Sequence, residues 1–113
     1  MHAVQIAPAE VSVASLCKCL GDELRLSLVC LMETDREVCV CDLVAALDAP
    51  QSTISRHLAQ LRQCGLVVAR RQGTWMHYRI NGALPEWALT IIGSLVRQGR
   101  RQLGLRPLQG QCC

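Results

Sequence analysis

At Gly65 the spacing of apolar residues changes from every third or fourth position to every second, and this break constrains the fold more than any other feature. Before it, Ile54, Leu58 and Leu61 recur at i, i+4 and i+7, the stripe of a helix that buries one face. After it, Leu66–Arg70 is β-prone and Trp75–Ile80 alternates. In that second segment Met76, Tyr78 and Ile80 share one face, while Trp75, His77 and Arg79 share the other. Arg71–Thr74 between them predicts a turn, with Gly73 able to take positive φ. The chain therefore predicts a helix over 51–64, ended by Gly65, and a hairpin over 66–80.

The rest reads as helix. Ser12 or Ser15 opens a short helix through Leu16, Cys17 and Leu20, stopped at Gly21. Asp22 is a good N-cap for a second helix over 22–33, carrying Leu24, Leu28 and Leu31. Residues 38–47 form a short apolar helix with an ambiguous start, broken at Asp48-Ala49-Pro50. Residues 84–103 form the last helix, with Trp87, Ile91, Leu95, Ile92 and Val96 making a broad apolar stripe. That stripe is greasier than a 113-residue monomer needs, and pairing with a second copy is its natural use. The fold class is mainly α with one β-hairpin, a winged helix-turn-helix, as one domain over 1–104 followed by a cysteine-containing tail over 105–113.

Charge sharpens this reading. Residues 1–48 carry eight acids against three bases, whereas 49–85 carry Arg56, Arg62, Arg70, Arg71 and Arg79 and no acid. Every basic residue but Lys18 is Arg, whose planar fork suits phosphate and guanine edges. Opposite the apolar stripe of 51–64 lies a face of Ser, Thr, Arg and Gln. Gln51, Ser52, Thr53, Ser55 and Arg56 are the expected major-groove readers, and Arg70, Arg71 and Gln72 the wing contacts. Double-stranded DNA is the expected partner.

No run of about 18 apolar residues occurs, so no membrane span is expected. Met1–Pro8 lacks the basic start and apolar run of a secretory signal, which makes the cytoplasm the expected location. An enzyme pairing Cys with His57 or His77 would need an orienting third group, and 49–85 supplies no acid for it. His57, beside the apolar stripe, reads as a core-edge hydrogen bonder, and His77 as a strand residue.

The chain has eight cysteines. In a reducing compartment these are thiols or ligands, not staples. Cys17 and Cys30 fall in apolar helical patterns, Cys64 has no evident role, and Cys19 stands between the two readings. Cys39-Val40-Cys41 and Cys112-Cys113 are the spacings with chemical meaning, because thiolates select soft ions. On a regular helix residues i and i+2 point about 200° apart, leaving the sulfurs roughly 7 Å or more from each other. A shared ion at about 2.3 Å from each needs them within roughly 4 Å. If both cysteines lie in an intact helix, binding must unwind its first turn, and that distortion would compete with DNA.

Four segments together carry a family resemblance. They are Glu37-Val38-Cys39-Val40-Cys41-Asp42-Leu43, Gln51-Ser52-Thr53-Ile54-Ser55-Arg56-His57-Leu58, Gly65-Leu66-Val67, and the wing Arg71–Arg79. Over about residues 13–100 the chain resembles the ArsR/SmtB family of metal-sensing winged-helix repressors. The Cys-Val-Cys-Asp-Leu motif resembles its arsenic-responsive branch in particular. The resemblance implies a homodimer formed through the first and last helices, bound to an inverted-repeat operator of an arsenic-resistance operon. It implies release when As(III) or Sb(III), or a methylated arsenical, binds Cys39 and Cys41.

Relatives with this motif often carry a third cysteine where this chain has Val44. The third thiolate would then come from Cys112 or Cys113, from Cys19, or from an external thiol. Cadmium or lead sensors of the family complete the motif from the N-terminal region, where Cys17 and Cys19 stand. Zinc sensors use His and acids on the last helix, which here has no His and only Glu86. A redox-responsive DNA-binding protein, with Cys39/Cys41 or Cys112/Cys113 oxidising, is the alternative of a different kind.

Overall fold

The computed structural model describes residues 11–106 and 108. Helix α1 spans Val13–Cys19 and α2 Glu23–Cys30. A two-residue strand β1, Val38–Cys39, leads directly into α3, Val40–Leu47. Then come α4 (Gln51–Gln63), β2 (Val67–Gln72), β3 (Trp75–Ile80) and α5 (Glu86–Leu103).

The starts of α1 and α2 follow from their caps. Ser12 and Ser15 bond reciprocally, each side chain accepting the other's backbone N–H at 3.1 Å, so Ser12 is the opening residue. Asp22 accepts from the Arg25 N–H at 3.0 Å. The acid-side behaviour of the fold depends on such carboxylates. The Arg25 N–H holds the Asp22 carboxyl below its ordinary range, and a side-chain bond from Arg70 does the same for Glu37. A folded pKa below the unfolded one means that the unfolded chain takes up more protons as pH falls. The stabilisation is complete above the ordinary carboxylate range and is lost below about pH 4. Urea midpoints measured from neutral pH down to about 3 should fall on the acid side, and Asp22→Asn should fall less steeply.

The core is aliphatic. Leu28 of α2, Leu43 of α3, and Ile54, Leu58 and Leu61 of α4 are fully buried, and Leu66 joins them. Gly65 leaves α4 at φ +81°, which glycine adopts without a Cβ penalty, and lets the chain enter β2. Asn81 is buried behind this exit. Its amide donates to the Gly65 carbonyl at 3.0 Å, and its side-chain oxygen accepts from the Ala83 N–H at 3.0 Å. Against α2, α5 packs closely at Gly99, where a Cβ would lie 2.6 Å from Cys30 Sγ. Arg100 Nε donates to the Cys30 carbonyl at 2.6 Å one residue later.

Two expectations are corrected. The hairpin β2–β3 is present, but β1 adds a third antiparallel strand in the order β1-β3-β2. Cys39 therefore belongs to that strand and not to a helix over 38–47, because Val38 and Cys39 pair with Tyr78 and His77. Pairing across so long a loop leaves no local signal. On α5, Ala88 and Ile92 face inward, while Trp87, Ile91 and Leu95 remain exposed at 38% each on one outer stripe.

Candidate functional site

The two cysteines of the Cys-Val-Cys motif meet at the joint between β1 and α3. Cys39 is the N-cap of α3, with extended backbone at φ −79° and ψ 146°, and Cys41 is the second helical residue. An N-cap side chain leans over the first turn toward the second and third helical residues. The sulfurs accordingly lie 3.0 Å apart. The expected separation of about 7 Å assumed two helical residues. Because Cys39 is extended, the expected need to unwind the first turn is overturned, and the two sulfurs are already gathered at a well-formed helix start. Cys39 is buried at 3% exposure and Cys41 is half-buried, so a ligand would enter from the Cys41 side.

The donor set fits a thiophilic ion. Two soft sulfurs stand within the roughly 4 Å that a shared ion permits, at a helix N-terminus that favours negative charge. No group of three or more His, Cys, Asp or Glu is gathered for a metal among the described residues. Cys17 and Cys19 on α1 are therefore not brought to the pair within one chain, and Cys112 and Cys113 lie outside the described residues.

The thiol pair adjoins the wing. One register row crosses the sheet from Cys39 through His77 to Arg70. Glu37, two residues before Cys39, reaches across the sheet to Arg70. Arg70 Nε donates to both Glu37 carboxylate oxygens at 3.1 and 2.9 Å, and Nη2 donates at 2.6 Å. Arg70 Nη2 also donates to Gln72 Oε1 at 3.0 Å. The wing cation expected to meet phosphate thus shares its guanidinium with an acid next to the thiols. Sequence reading missed Glu37, since only the strand order β1-β3-β2 brings it to β2.

The residues expected to read DNA lie together. Gln51, Ser52, Ser55 and Arg56 are exposed along the outer face of α4 and Thr53 is half-buried, while Ile54, Leu58 and Leu61 face the core. Arg71 and Gln72 are exposed where β2 ends, and Gly73 takes φ +65° in the turn. Arg25 ties α4 to the end of α1. Arg25 Nη1 donates to Gln60 Oε1 at 2.7 Å and lies 3.4 Å from His57 Nδ1, while its Nε donates to the Cys19 carbonyl at 2.6 Å. His57 is thus a half-buried core-edge residue with Asp22 at 4.0 Å, as its place beside the apolar stripe suggested.

Residues 22–68, from the N-cap of α2 to the start of β2, match the model for bacterial regulatory proteins of the arsR family. The chain is 48% identical over 100 residues to the arsenical resistance operon repressor of Escherichia coli, covering 87% of this chain and 86% of that one. This chain belongs to the ArsR family. Among solved structures, HlyU from Vibrio cholerae superposes with a TM-score of 0.66 at 32% identity, covering 75% of this chain and 88% of that one. The homodimeric winged helix-turn-helix DNA-binding domain of Mb0332 from Mycobacterium bovis superposes with a TM-score of 0.63 at 31% identity, covering 80% and 81%. In ArsR-family terms, α3 and α4 are the helix-turn-helix of this chain and β2–β3 its wing. No helix among the described residues is long and apolar enough to cross a membrane.

Proposed function

We propose that this ArsR-family chain is a homodimeric repressor of an arsenic-resistance operon that leaves its operator when As(III) or Sb(III) binds Cys39 and Cys41. The observation that carries the reading is the 3.0 Å approach of the two sulfurs at the β1–α3 joint. Cys39 belongs to a strand hydrogen-bonded to the wing, and Cys41 to the first helix of the helix-turn-helix. A ligand joined to both fixes the angle between these two DNA-contacting units. If the operator requires another angle, bound ligand and bound DNA oppose each other. This replaces helix unwinding as the source of the coupling. A coupling of about 1–3 kcal/mol lowers operator affinity roughly 5–150-fold. Arsenite titrated into a fluorescent operator complex should produce that drop, and an unchanged affinity would contradict the reading.

The dimer forms through α1 and α5, where Trp87, Ile91, Leu95 and Val13 are exposed large apolar side chains. Its two α4 helices then sit about 34–36 Å apart on an inverted repeat. An Ile91→Glu chain should sediment as a monomer where the unaltered chain sediments as a dimer.

Gln51, Ser52, Thr53, Ser55 and Arg56 read the major groove, and Arg70, Arg71 and Gln72 meet phosphate or minor groove. Arg56→Ala should weaken operator binding by about 1–3 kcal/mol and relax preference at one base position. An equal loss on random DNA would make Arg56 a phosphate contact instead.

A further inference from the structure

A second pair of cysteines lies where the end of α1 meets the last turn of α4. Cys19 ends α1 and is 3% exposed, and Cys64 caps the C-terminus of α4 and is half-buried. Both converge on one carbonyl oxygen, that of Gln60, which accepts from the Cys64 N–H at 3.0 Å and from Cys19 Sγ at 3.9 Å. The Cys64 side chain is near enough to the Cys19 thiol to raise its pKa. Arg25 fixes the junction from both sides, holding the Cys19 carbonyl with Nε and the Gln60 side chain with Nη1.

We propose that Cys19 and Cys64 form a redox-active dithiol that closes to a disulfide under hydroperoxides, tying the C-terminal end of the recognition helix to α1. The roles follow from access. Burial and the adjacent Cys64 push the Cys19 thiol up to about 12, so Cys64, the more open of the two, meets the oxidant first. The Cys64 thiolate attacks the peroxide, the O–O bond breaks, and Cys64 becomes a sulfenic acid as hydroxide leaves and takes up the Cys64 proton as water. Cys19 sulfur then displaces the hydroxyl group, which departs as a second water with the Cys19 proton, and the S–S bond forms. Two thiols are oxidised and one hydrogen peroxide is reduced to two waters.

A disulfide fits this place better than a bridging arsenic. Closure removes two hydrogens and adds no atom, whereas an arsenic must be inserted at about 2.3 Å from each sulfur into a packed core. The link would join the helix that reads DNA to the helix on the dimer side, independently of Cys39 and Cys41.

The sequence makes the test clean. Trypsin cutting after Lys18, Arg25, Arg62 and Arg70 releases peptides 19–25 and 63–70, each with one cysteine. The reduced full-length protein is exposed to hydrogen peroxide, its remaining thiols are alkylated, and the digest is read by mass spectrometry. The expected result is a 19–25/63–70 pair two hydrogens lighter than its parts, from protein that still runs as a single chain without reductant, that vanishes with dithiothreitol and is absent from Cys64→Ser protein. Full alkylation of both peptides after peroxide would overturn the proposal. So would Cys64 recovered as sulfinic acid, or linked to a second chain. Protection of both peptides by arsenite alone would make the pair a thiophilic-ion site and equally overturn it.

Discussion

Cys41→Ser protein should remain on its operator at arsenite concentrations that strip the unaltered protein, and Cys39→Ser should do the same. The expected loss is the whole coupling, so the roughly 5–150-fold drop in operator affinity shrinks to none. Each substitution leaves one sulfur at the β1–α3 joint, and one sulfur cannot hold the strand and the helix in a common grip. Without arsenite, both variants should bind the operator like the unaltered chain, because neither cysteine lies on the exposed face of α4 or at the wing tip. The two readouts separate a lost ligand from a damaged fold. A serine variant that releases normally would remove that residue from the site.

The largest effect on stability is expected at Leu58. It is fully buried on α4, between Ile54 and Leu61 on the stripe that holds the recognition helix to the core. Leu58→Ala removes buried methyl groups and leaves a cavity, at a cost of about 2–5 kcal/mol. A domain of this size is stable by about 5–15 kcal/mol in all, so a large share is lost. At fixed protein concentration, thermal melting should drop by about 10 °C or more. Ala59→Ser, one position along and exposed, should change stability by no more than about 0.5 kcal/mol. If Leu58→Ala melts like the unaltered chain, α4 is not held by this stripe.

The parts of the fold legible in the sequence are those fixed by local chemistry. The change of period at Gly65, the Asp22 cap and the face of α4 opposite Ile54, Leu58 and Leu61 follow from residues a few positions apart. The features that escaped are non-local. Val38-Cys39 stands at the ambiguous start of an apolar helical run and becomes a strand because β3, nearly forty residues later, offers Tyr78 and His77 as partners. That pairing makes Cys39 an N-cap and brings its sulfur to Cys41, so the strand missed by the sequence reading is also what gathers the site. Glu37 and Arg70, and Cys19 and Cys64, are likewise joined by topology and not by spacing. The cysteines at 112 and 113 carry the same chemical spacing signal as Cys39 and Cys41, but they lie outside the described residues.

Under the proposed function, Cys39 and Cys41 together hold the inducer in one gathered site. Arsenic X-ray absorption on the arsenite-loaded protein, beside a Cys39→Ser/Cys41→Ser chain, tests it most directly. At least two sulfur neighbours at about 2.3 Å are expected in the unaltered protein, with that signal lost in the double variant. The same sulfur shell in both proteins would place the inducer elsewhere and remove Cys39 and Cys41 from its site.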